Sequence, residues 1–234
     1  MRSIRICILA IAGLCWGATA EAGCDPVDLT LTTTPVMPQL NYALHRHYDL
    51  MSELPSGPVD LLLIGDSLVE SWDRMSWGEA GKSKTIFDFG VGGDRTQTLL
   101  WRLQNERLAE LRPRNVLLLI GTNNLAVDDR PCAVLAGIDS VVRQMRRLWG
   151  DFRLLVVPIP PRGENWKFQD GQRKDINEGL LNRAAAAGWT TIDTDAALTC
   201  HFTQPCPNYQ WDNLHLAPPG YRALTAATVA KLRW

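Results

Sequence analysis

The sequence predicts a single α/β domain in which a parallel sheet is covered by helices on both faces. Short apolar runs bounded by turn residues alternate along the chain with longer segments whose apolar residues recur at helical spacing. A length of 234 residues with 46% hydrophobic content supports one sizeable core and excludes a disordered or collagen-like chain. A net charge of −1 leaves no basic surplus for a phosphate backbone, so nucleic acid is not an expected partner.

The first twenty residues have the features of an export signal. Arg2 and Arg5 flank the start of a ten-residue apolar run at 6–15, and 18–20 (Ala-Thr-Ala) forms a small-x-small cleavage site. We therefore expect an exported chain, periplasmic or secreted, from which residues 1–20 are removed. The run is too short to span a bilayer, and no integral membrane segment is expected after cleavage.

Two alternatives for this segment remain open. It could stay attached as a membrane anchor or a buried helix. Residues 22–24 (Ala-Gly-Cys) also resemble the end of a bacterial lipobox, although Glu21 stands where that motif has leucine. Under this second alternative, the protein is lipid-anchored at Cys24.

Export changes the interpretation of the cysteines, because an oxidising compartment permits disulfides. Cleavage leaves Cys24, Cys132, Cys200 and Cys206, which allow three pairings. Proximity favours Cys200 with Cys206, which would leave Cys24 and Cys132 to tie the N-terminal segment to the body. The alternative is a metal site, but the chain has no C-x-x-C motif or nearby histidine pair, so no metal is expected.

The elements are predicted in the following order. Residues 24–38, rich in threonine and proline, form an arm, and a first helix spans 39–54, with His45 and His47 at the surface. Buried parallel strands are expected at 60–64, 85–89, 115–120, 152–157 and 189–192. Helices are expected at 96–111, 133–148, 173–187 and 219–232. The resulting divisions are the signal at 1–20, the arm and helix at 21–58, and the main domain at 59–234.

Polar residues follow the predicted strands at their carboxyl ends, where α/β proteins place their sites. The first strand leads through Gly65-Asp66 to Ser67 at a helix start, the second leads to a glycine-rich loop containing Gly93, and the third leads to Asn123. Asp212 precedes His215 by three residues, just ahead of the last helix. A nucleophile, a base, an orienting acid and several hydrogen-bond donors are therefore expected at one edge of the sheet.

Each of these motifs is weak alone. Gly-Asp-Ser is usually only a helix N-cap, and Asp-x-x-His is equally compatible with a surface turn. The glycine loop is not a dinucleotide fingerprint, because Arg95 stands where the third glycine is required. The Gly-x-Ser-x-Gly esterase elbow is also absent, because Val69 replaces its second glycine. The specific signal is the whole set, in this order and at successive strand ends.

This set resembles the SGNH hydrolases, also called GDSL esterases. Residues 65–68 match the block that holds the serine nucleophile, and Gly93 and Asn123 match the glycine and asparagine of the next two blocks. Asp212 and His215 match the last block. Further stretches are similar to the catalytic subunits of platelet-activating-factor acetylhydrolase, at 64–69, 89–94, 100–103, 161–163, 214–216 and 220–221.

The resemblance implies a three-layer α/β/α sandwich with a five-stranded parallel sheet, of the flavodoxin-like type. It implies that Ser67 is the nucleophile, His215 the general base and Asp212 the acid that orients the base. The backbone N–H groups of Ser67 and Gly93 and the side-chain amide of Asn123 would form the oxyanion hole. An acyl-enzyme would form and be hydrolysed by water, with no cofactor.

The expected function is removal of short acyl groups, above all acetyl, from a carbohydrate or a small lipid-like ester. A lysophospholipase or thioesterase with a longer acyl cleft is the alternative among enzymes, and a non-catalytic binding protein is the alternative outside them. Trp166, Tyr209 and Trp211 lie on loops that the family pattern places near the site, so they are candidate substrate contacts. Arg162 is a candidate for a charged substrate group or for a structural ion pair. The expected partner is a small-molecule or polysaccharide ester.

Overall fold

The computed structural model describes residues 23–232, so the expected signal at 1–20 and the last two residues lie outside the described residues. Five strands form one sheet in which every paired neighbour is parallel. They are β1 (Leu61–Gly65), β2 (Ile86–Gly90), β3 (Asn115–Leu119), β4 (Arg153–Val156) and β5 (Trp189–Thr190). Their order across the sheet is β2-β1-β3-β4-β5. The predicted α/β class with a five-stranded parallel sheet is confirmed.

Helices precede, connect and follow the strands. They are α1 (Pro26–Thr33), α2 (Asn41–Ser52), α3 (Ser67–Glu70), α4 (Gly78–Gly81), α5 (Thr96–Arg102), α6 (Thr122–Ala126), α7 (Pro131–Trp149), α8 (Asp170–Ala187), α9 (Thr194–Leu198) and α10 (Pro218–Val229). Short 3₁₀ segments occur at Arg74–Trp77, Glu106–Leu111 and Glu164–Trp166. No described helix meets the length and hydropathy that a bilayer span demands.

The sheet is buried on both faces, which explains the continuous apolar runs of its strands. Successive strand residues point to opposite faces. On one face, Leu62 and Ile64 belong to a core cluster with residues of α2, α5, α7 and α8. On the other face, Leu61 and Leu63 pack in a cluster with residues of α3, α9 and α10. The molecule therefore has the three layers that the resemblance implied.

The carboxyl ends of β1, β2 and β3 lie level with one another. Gly65 pairs with Gly90 on one side and with Leu119 on the other. Chain order reverses at β1, because β2 and β3 lie on its opposite sides. Such a reversal opens a crevice outside the carboxyl ends of the strands, so the loops that leave these three strands meet there.

Three expected elements differ from the structure. The arm at 24–38 contains a helix, because the Asp25 side chain accepts from the Val27 N–H at 2.7 Å and Pro26 suits the first turn. The helix expected at 96–111 ends at Arg102, and a 3₁₀ segment follows after Asn105 caps a new turn. The fifth strand stops at Thr190, since it lies at the sheet edge and pairs only with β4.

His47 is buried rather than exposed, in contrast to His45. Its side chain lies on the buried face of α2 and packs edge-on against Trp101 and Phe89. Burial lowers the pKa of His47 to about 4, with a smaller contribution from the Arg102 charge. It therefore packs as a neutral aromatic ring at physiological pH.

Two disulfides lie in the described residues. Cys24 is bonded to Cys132 and Cys200 to Cys206, which are the pairs that the spacing favoured. The first ties the segment before α1 to the first turn of α7, across 108 residues of sequence. The second joins two cysteines six positions apart in the segment that leads to Asp212.

Candidate active site

Ser67 is held at the end of β1 by a tight strand-to-helix turn. A Cβ at Gly65 would lie 2.0 Å from the Leu119 carbonyl oxygen, so only glycine fits there. The next residue, Asp66, caps α3 by accepting from the Leu68 N–H at 3.0 Å. This cap makes Ser67 the first residue of α3, at the crevice formed by the carboxyl ends of the strands.

A chain of hydrogen bonds links three of the expected residues. His215 Nε2 lies 3.0 Å from Ser67 Oγ, and His215 Nδ1 lies 2.6 Å from Asp212 Oδ2. A neutral imidazole with its hydrogen on Nδ1 satisfies both contacts, because Nδ1 then donates to the carboxylate and Nε2 accepts from the serine hydroxyl. This arrangement can remove the hydroxyl proton from Ser67.

Asp212 is fixed by its own backbone turn. Its Oδ1 accepts from the N–H groups of Leu214 and His215 at 3.0 and 2.9 Å. Burial alone would raise the pKa of Asp212, but the hydrogen bonds from the His215 ring and from these two N–H groups outweigh burial and leave the pKa below its usual range. The carboxylate is therefore ionised and suited to stabilising a charged imidazolium.

Three candidate donors follow the carboxyl ends of β1, β2 and β3, at Ser67, Gly93 and Asn123. Among the described residues, neither the Ser67 nor the Gly93 N–H has an acceptor. Gly93 has φ +81, a conformation that glycine adopts readily. Asn123, in the first turn of α6, donates one amide hydrogen to the Asp94 carbonyl oxygen at 2.9 Å, which leaves the second hydrogen for a ligand. The arrangement can receive an oxyanion.

A buried ion pair supports these donors, and sequence reasoning missed it. Asp94 Oδ2 lies 2.5 Å from Arg102 Nη1, and its Oδ1 accepts from the Thr98 hydroxyl at 2.9 Å. The Arg102 guanidinium also donates to the Phe89 carbonyl at 2.6 Å. In the sequence, the only sign of this ion pair is an acid and an arginine eight residues apart. That spacing indicates an ion pair only when both residues are known to be buried.

Glu70 is a second supporting residue that the sequence did not reveal. Its Oε2 accepts from the Gly92 N–H at 2.6 Å, and its Oε1 accepts from the Tyr42 hydroxyl. Arg46 adds an ion pair at 3.6 Å. The hydrogen bond to Glu70 raises the pKa of Tyr42 to about 12. Glu70 thus connects helix α2 to the loop that carries Gly93.

The three candidate substrate contacts differ sharply in exposure. Trp166 and Tyr209 are only 5% and 7% exposed, and their rings pack edge-on with centroids 4.7 Å apart. The Tyr209 hydroxyl donates to the Pro161 carbonyl at 2.8 Å. Both rings are core residues and offer almost no surface to a substrate, contrary to expectation. Trp211 is 92% exposed and lies directly before Asp212.

Arg162 was a candidate for binding a charged substrate group or for a structural ion pair, and the structure places it in a different setting. Its side chain is buried, and its guanidinium stacks on the Phe168 ring at 4.1 Å from the centroid. No acidic group among the described residues lies within ion-pair distance of it. It therefore packs on Phe168 as a buried cation, and its charge favours the ionised form of the buried Asp66 carboxyl.

A cavity of about 320 Å³ adjoins two of the candidate donors. Gly93 and Asn123 contribute to one part of its wall, and the rest includes Leu40, Val127 and Arg95. A larger cavity of about 660 Å³ lies beside β5. None of Ser67, Asp212 and His215 lines either cavity, but the smaller one is lined by Gly92, where a built Cβ would lie 3.8 Å from the Ser67 Cβ. The smaller cavity is therefore next to Ser67.

Comparison with known proteins agrees with this geometry. Residues 63–223 match the GDSL-like Lipase/Acylhydrolase family model. The chain is 30% identical over 185 residues to platelet-activating factor acetylhydrolase IB subunit alpha1 of Rattus norvegicus, covering 77% of this chain and 78% of that protein. The Homo sapiens subunit gives the same identity and coverage.

Solved structures share the fold. A GDSL-like lipase from Bacteroides thetaiotaomicron superposes with a TM-score of 0.65 at 17% identity, covering 82% of this chain and 99% of that one. An acetylxylan esterase from Geobacillus stearothermophilus superposes with a TM-score of 0.61 at 18% identity, covering 76% of this chain and 96% of that one. Because the family model spans most of the chain and the identity to the acetylhydrolase subunits reaches 30%, the protein belongs to the GDSL (SGNH) lipase/acylhydrolase family of ester hydrolases.

Proposed function

We propose that Ser67, His215 and Asp212 are the catalytic triad of an exported esterase that removes short acyl groups, above all acetyl. The substrate is a carbohydrate ester or a small lipid-like ester. The observation that carries this proposal is the continuous hydrogen-bond chain from Asp212 through His215 to the Ser67 hydroxyl.

Acylation begins when His215 Nε2 takes the Ser67 hydroxyl proton while Oγ attacks the carbonyl carbon. The carbonyl oxygen becomes an oxyanion that accepts from the Ser67 and Gly93 N–H groups and from the free amide hydrogen of Asn123. Asp212 stabilises the imidazolium through Nδ1–H. His215 then gives its proton to the alcohol oxygen as the ester bond breaks, which leaves an acyl group on Ser67.

Deacylation repeats these steps with water. His215 takes a proton from water, the hydroxide oxygen attacks the acyl carbon, and the same donors hold the second oxyanion. When the bond to Oγ breaks, the proton returns to Ser67 and the carboxylic acid leaves. Every proton is moved by residues of this chain.

The small size of the acyl group is supported by two observations. The relatives at 30% identity are acetylhydrolases, and the cavity beside the oxyanion donors is only about 320 Å³. A lysophospholipase or thioesterase would need a longer acyl cleft. Rates on 4-nitrophenyl esters of two to twelve carbons separate the two functions, because they fall steadily with chain length for an acetylesterase. Faster hydrolysis of the longer esters would favour the alternative.

Export is supported by the composition of residues 1–20 and by the two disulfides. The bond between Cys24 and Cys132 occupies the thiol that a lipid anchor would need, which argues against lipid attachment at Cys24. Mass spectrometry of the mature N-terminus tests this part of the proposal. A chain that begins at Glu21 is expected, whereas an acylated Cys24 terminus would contradict it.

The catalytic part of the proposal is tested with 4-nitrophenyl acetate. Ser67→Ala should lower kcat by several orders of magnitude while the protein stays folded, because the variant loses the nucleophile without leaving a large cavity. Ser52→Ala, which removes an exposed hydroxyl at the end of α2, is the matched control and should retain activity. Substantial turnover by purified Ser67→Ala would contradict the assignment of Ser67 as the nucleophile. A wild-type protein that hydrolyses no ester would instead support the alternative of a non-catalytic binding protein.

A further inference from the structure

Arg95 is a half-buried cation without an acidic partner. Among the described residues, no carboxylate lies within ion-pair distance of its guanidinium, which also makes no hydrogen bond. Of the three buried arginines, Arg102 is paired with Asp94 and Arg173 with Asp170 and Asp195, while Arg162 stacks on the Phe168 ring. The guanidinium of Arg95 has neither kind of partner. Partial removal from water without a counter-charge is unfavourable for a cation, and an anion supplied from outside would relieve it.

Arg95 shares a cavity wall with two of the proposed oxyanion donors. It follows Gly93 by two residues, and both residues line the 320 Å³ cavity, with Asn123 on the same wall. The remaining wall is largely apolar and includes Leu40 and Val127, whose side chains are exposed. Asp94 also lines the cavity, but its carboxylate is buried against Arg102. A ligand that extends from Ser67 into this cavity therefore meets one unpaired positive charge on a wall that is otherwise mostly uncharged.

The neighbouring acids are already engaged. The Asp94 carboxylate is enclosed by Arg102 and the Thr98 hydroxyl. Glu70 is bound by the Gly92 N–H, Tyr42 and Arg46. Neither carboxylate is free to neutralise Arg95, so the cavity keeps its positive charge for a ligand.

The cavity wall is held in place by the N-terminal segment. The Val36 N–H donates to the Gln97 carbonyl at 3.0 Å, and the Thr96 hydroxyl donates to the Thr32 carbonyl at 2.9 Å. These bonds fix the segment that delivers Leu40, whose Cδ1 would lie 3.2 Å from a Cβ built on Gly93. The cavity is therefore formed before any ligand enters it.

We infer that this cavity binds an anionic group of the ester substrate, a carboxylate or a phosphate, through Arg95, while Leu40 and Val127 contact the apolar part that joins the anion to the ester. The inference rests on the proposed function, because the ester must lie at Ser67. It narrows the substrate class from short esters in general to short esters with a nearby negative charge. An ion pair of this kind, made in a partly water-excluded cavity, gives both affinity and orientation.

Two matched pairs of esters test the inference and identify the side of the ester that carries the charge. Mono-4-nitrophenyl glutarate is compared with 4-nitrophenyl valerate for an anion on the acyl side. The 4-acetoxybenzoate ion is compared with its methyl ester for an anion on the alcohol side. For each pair, the ratio of kcat/KM for the anionic ester to that for the neutral ester is measured in the wild type, Arg95→Gln, Arg95→Lys and the control Arg153→Gln. Arg153 is an exposed arginine at the amino end of β4, at the opposite edge of the sheet.

The ratio should favour the anionic ester in one of the two pairs and should fall about tenfold or more in Arg95→Gln, the effect of losing one charge-assisted hydrogen bond. Arg95→Lys should keep part of the preference, added salt should weaken it, and Arg153→Gln should leave it unchanged. If the wild type shows no preference in either pair, or if Arg95→Gln leaves both ratios unchanged, the inference is overturned. Failure to hydrolyse even the neutral esters would instead overturn the proposed function.

Discussion

The Asn123 side-chain amide donates to the Asp94 backbone carbonyl at 2.9 Å, which joins the loop after β3 to the loop after β2. The bond uses one amide hydrogen and leaves the second available, and Asn123 and Gly93 line the same cavity. Asp94 is in turn held by Arg102, whose guanidinium also binds the end of β2. The proposed oxyanion donor Asn123 is thus supported by a buried network of hydrogen bonds and an ion pair.

The first prediction concerns Asn123. Asn123→Ala should lower kcat about 10²–10³-fold with little change in KM, because the amide hydrogen bond strengthens as the carbonyl oxygen becomes an oxyanion. Steady-state kinetics on 4-nitrophenyl acetate measure this, and Asn182→Ala on the exposed face of α8 is the control. A raised KM with kcat preserved would mean that Asn123 only holds the substrate.

The second prediction concerns the buried ion pair. Arg102→Met should lower the free energy of unfolding by about 3–5 kcal/mol, because it leaves the Asp94 carboxylate buried without its counter-charge. Urea denaturation measures the loss, with the exposed Arg107→Met as control. Adding Asp94→Asn to Arg102→Met should recover part of the stability. No recovery in the double variant would show that packing of the arginine stem, rather than charge, dominates.

The third prediction concerns Asp66, which is fully buried. Burial raises its pKa from 3.8 to about 7, and the hydrogen bond from the Leu68 N–H offsets only part of that rise. The folded state therefore binds this proton more tightly than the unfolded state does. Proton binding by Asp66 contributes fully to the free energy of unfolding below about pH 4, and this contribution declines as the pH rises towards 7. Each pKa unit corresponds to about 1.4 kcal/mol.

Asp66→Asn tests this directly, because asparagine keeps the oxygen that caps α3. The variant should gain stability relative to the wild type as the pH rises from 4 to 7, as measured by urea denaturation at several pH values. Asp151→Asn, which removes an exposed carboxylate, is the matched control. A stability difference between wild type and Asp66→Asn that does not change over this range would contradict the prediction.

The fourth prediction contrasts the two disulfides. Cys24 and Cys132 are 108 residues apart in sequence, whereas Cys200 and Cys206 are six apart. Loop-closure entropy predicts that Cys24→Ser/Cys132→Ser loses more stability, about 4.7 kcal/mol, than Cys200→Ser/Cys206→Ser, at the lower end of about 2–4 kcal/mol. Thermal unfolding of the two double variants measures the difference. Equal losses would show that strain or residual structure, rather than loop length, sets the effect.

For activity, we expect the larger effect from the short disulfide, Cys200–Cys206. In the short bridged segment, Gln204 donates to the Gly163 carbonyl at 3.1 Å, and the Gly163 N–H donates to the carbonyl of Asn213 at 2.8 Å. This path reaches the residue next to Asp212. Removing Cys200–Cys206 should therefore lower kcat at temperatures where the protein is still folded, and unchanged kcat would show that the segment is held without the bridge.

The parts of this protein that sequence predicts are those determined by local pattern. The strand runs were visible because both faces of the sheet are buried, and Ser67, Asn123 and His215 could be placed at one edge because parallel strands end there. Helix α1 was missed because its threonines and proline suggest a loop, while the deciding feature is a single cap at Asp25.

Features that depend on long-range packing could not be predicted in this way. Glu70 meets Tyr42 and Gly92 only after the chain folds, and Arg102 acquires its role from a burial that its charge does not suggest. Trp166 and Tyr209 were expected at the substrate because aromatic residues on loops near a site often contact ligands. Here these two rings pack on each other and leave Trp211 as the exposed aromatic residue of the three.

The most direct test of the catalytic assignment is covalent labelling by a fluorophosphonate, followed by peptide mass spectrometry. The hydrogen-bond chain from Asp212 to Ser67 predicts one adduct per chain, located on Ser67, and slower labelling in Asn123→Ala. Ser67→Ala should take up no label, while the control Ser52→Ala should label like the wild type. An unlabelled wild-type chain, or an adduct on another serine that persists in Ser67→Ala, would contradict the assignment of Ser67 as the nucleophile.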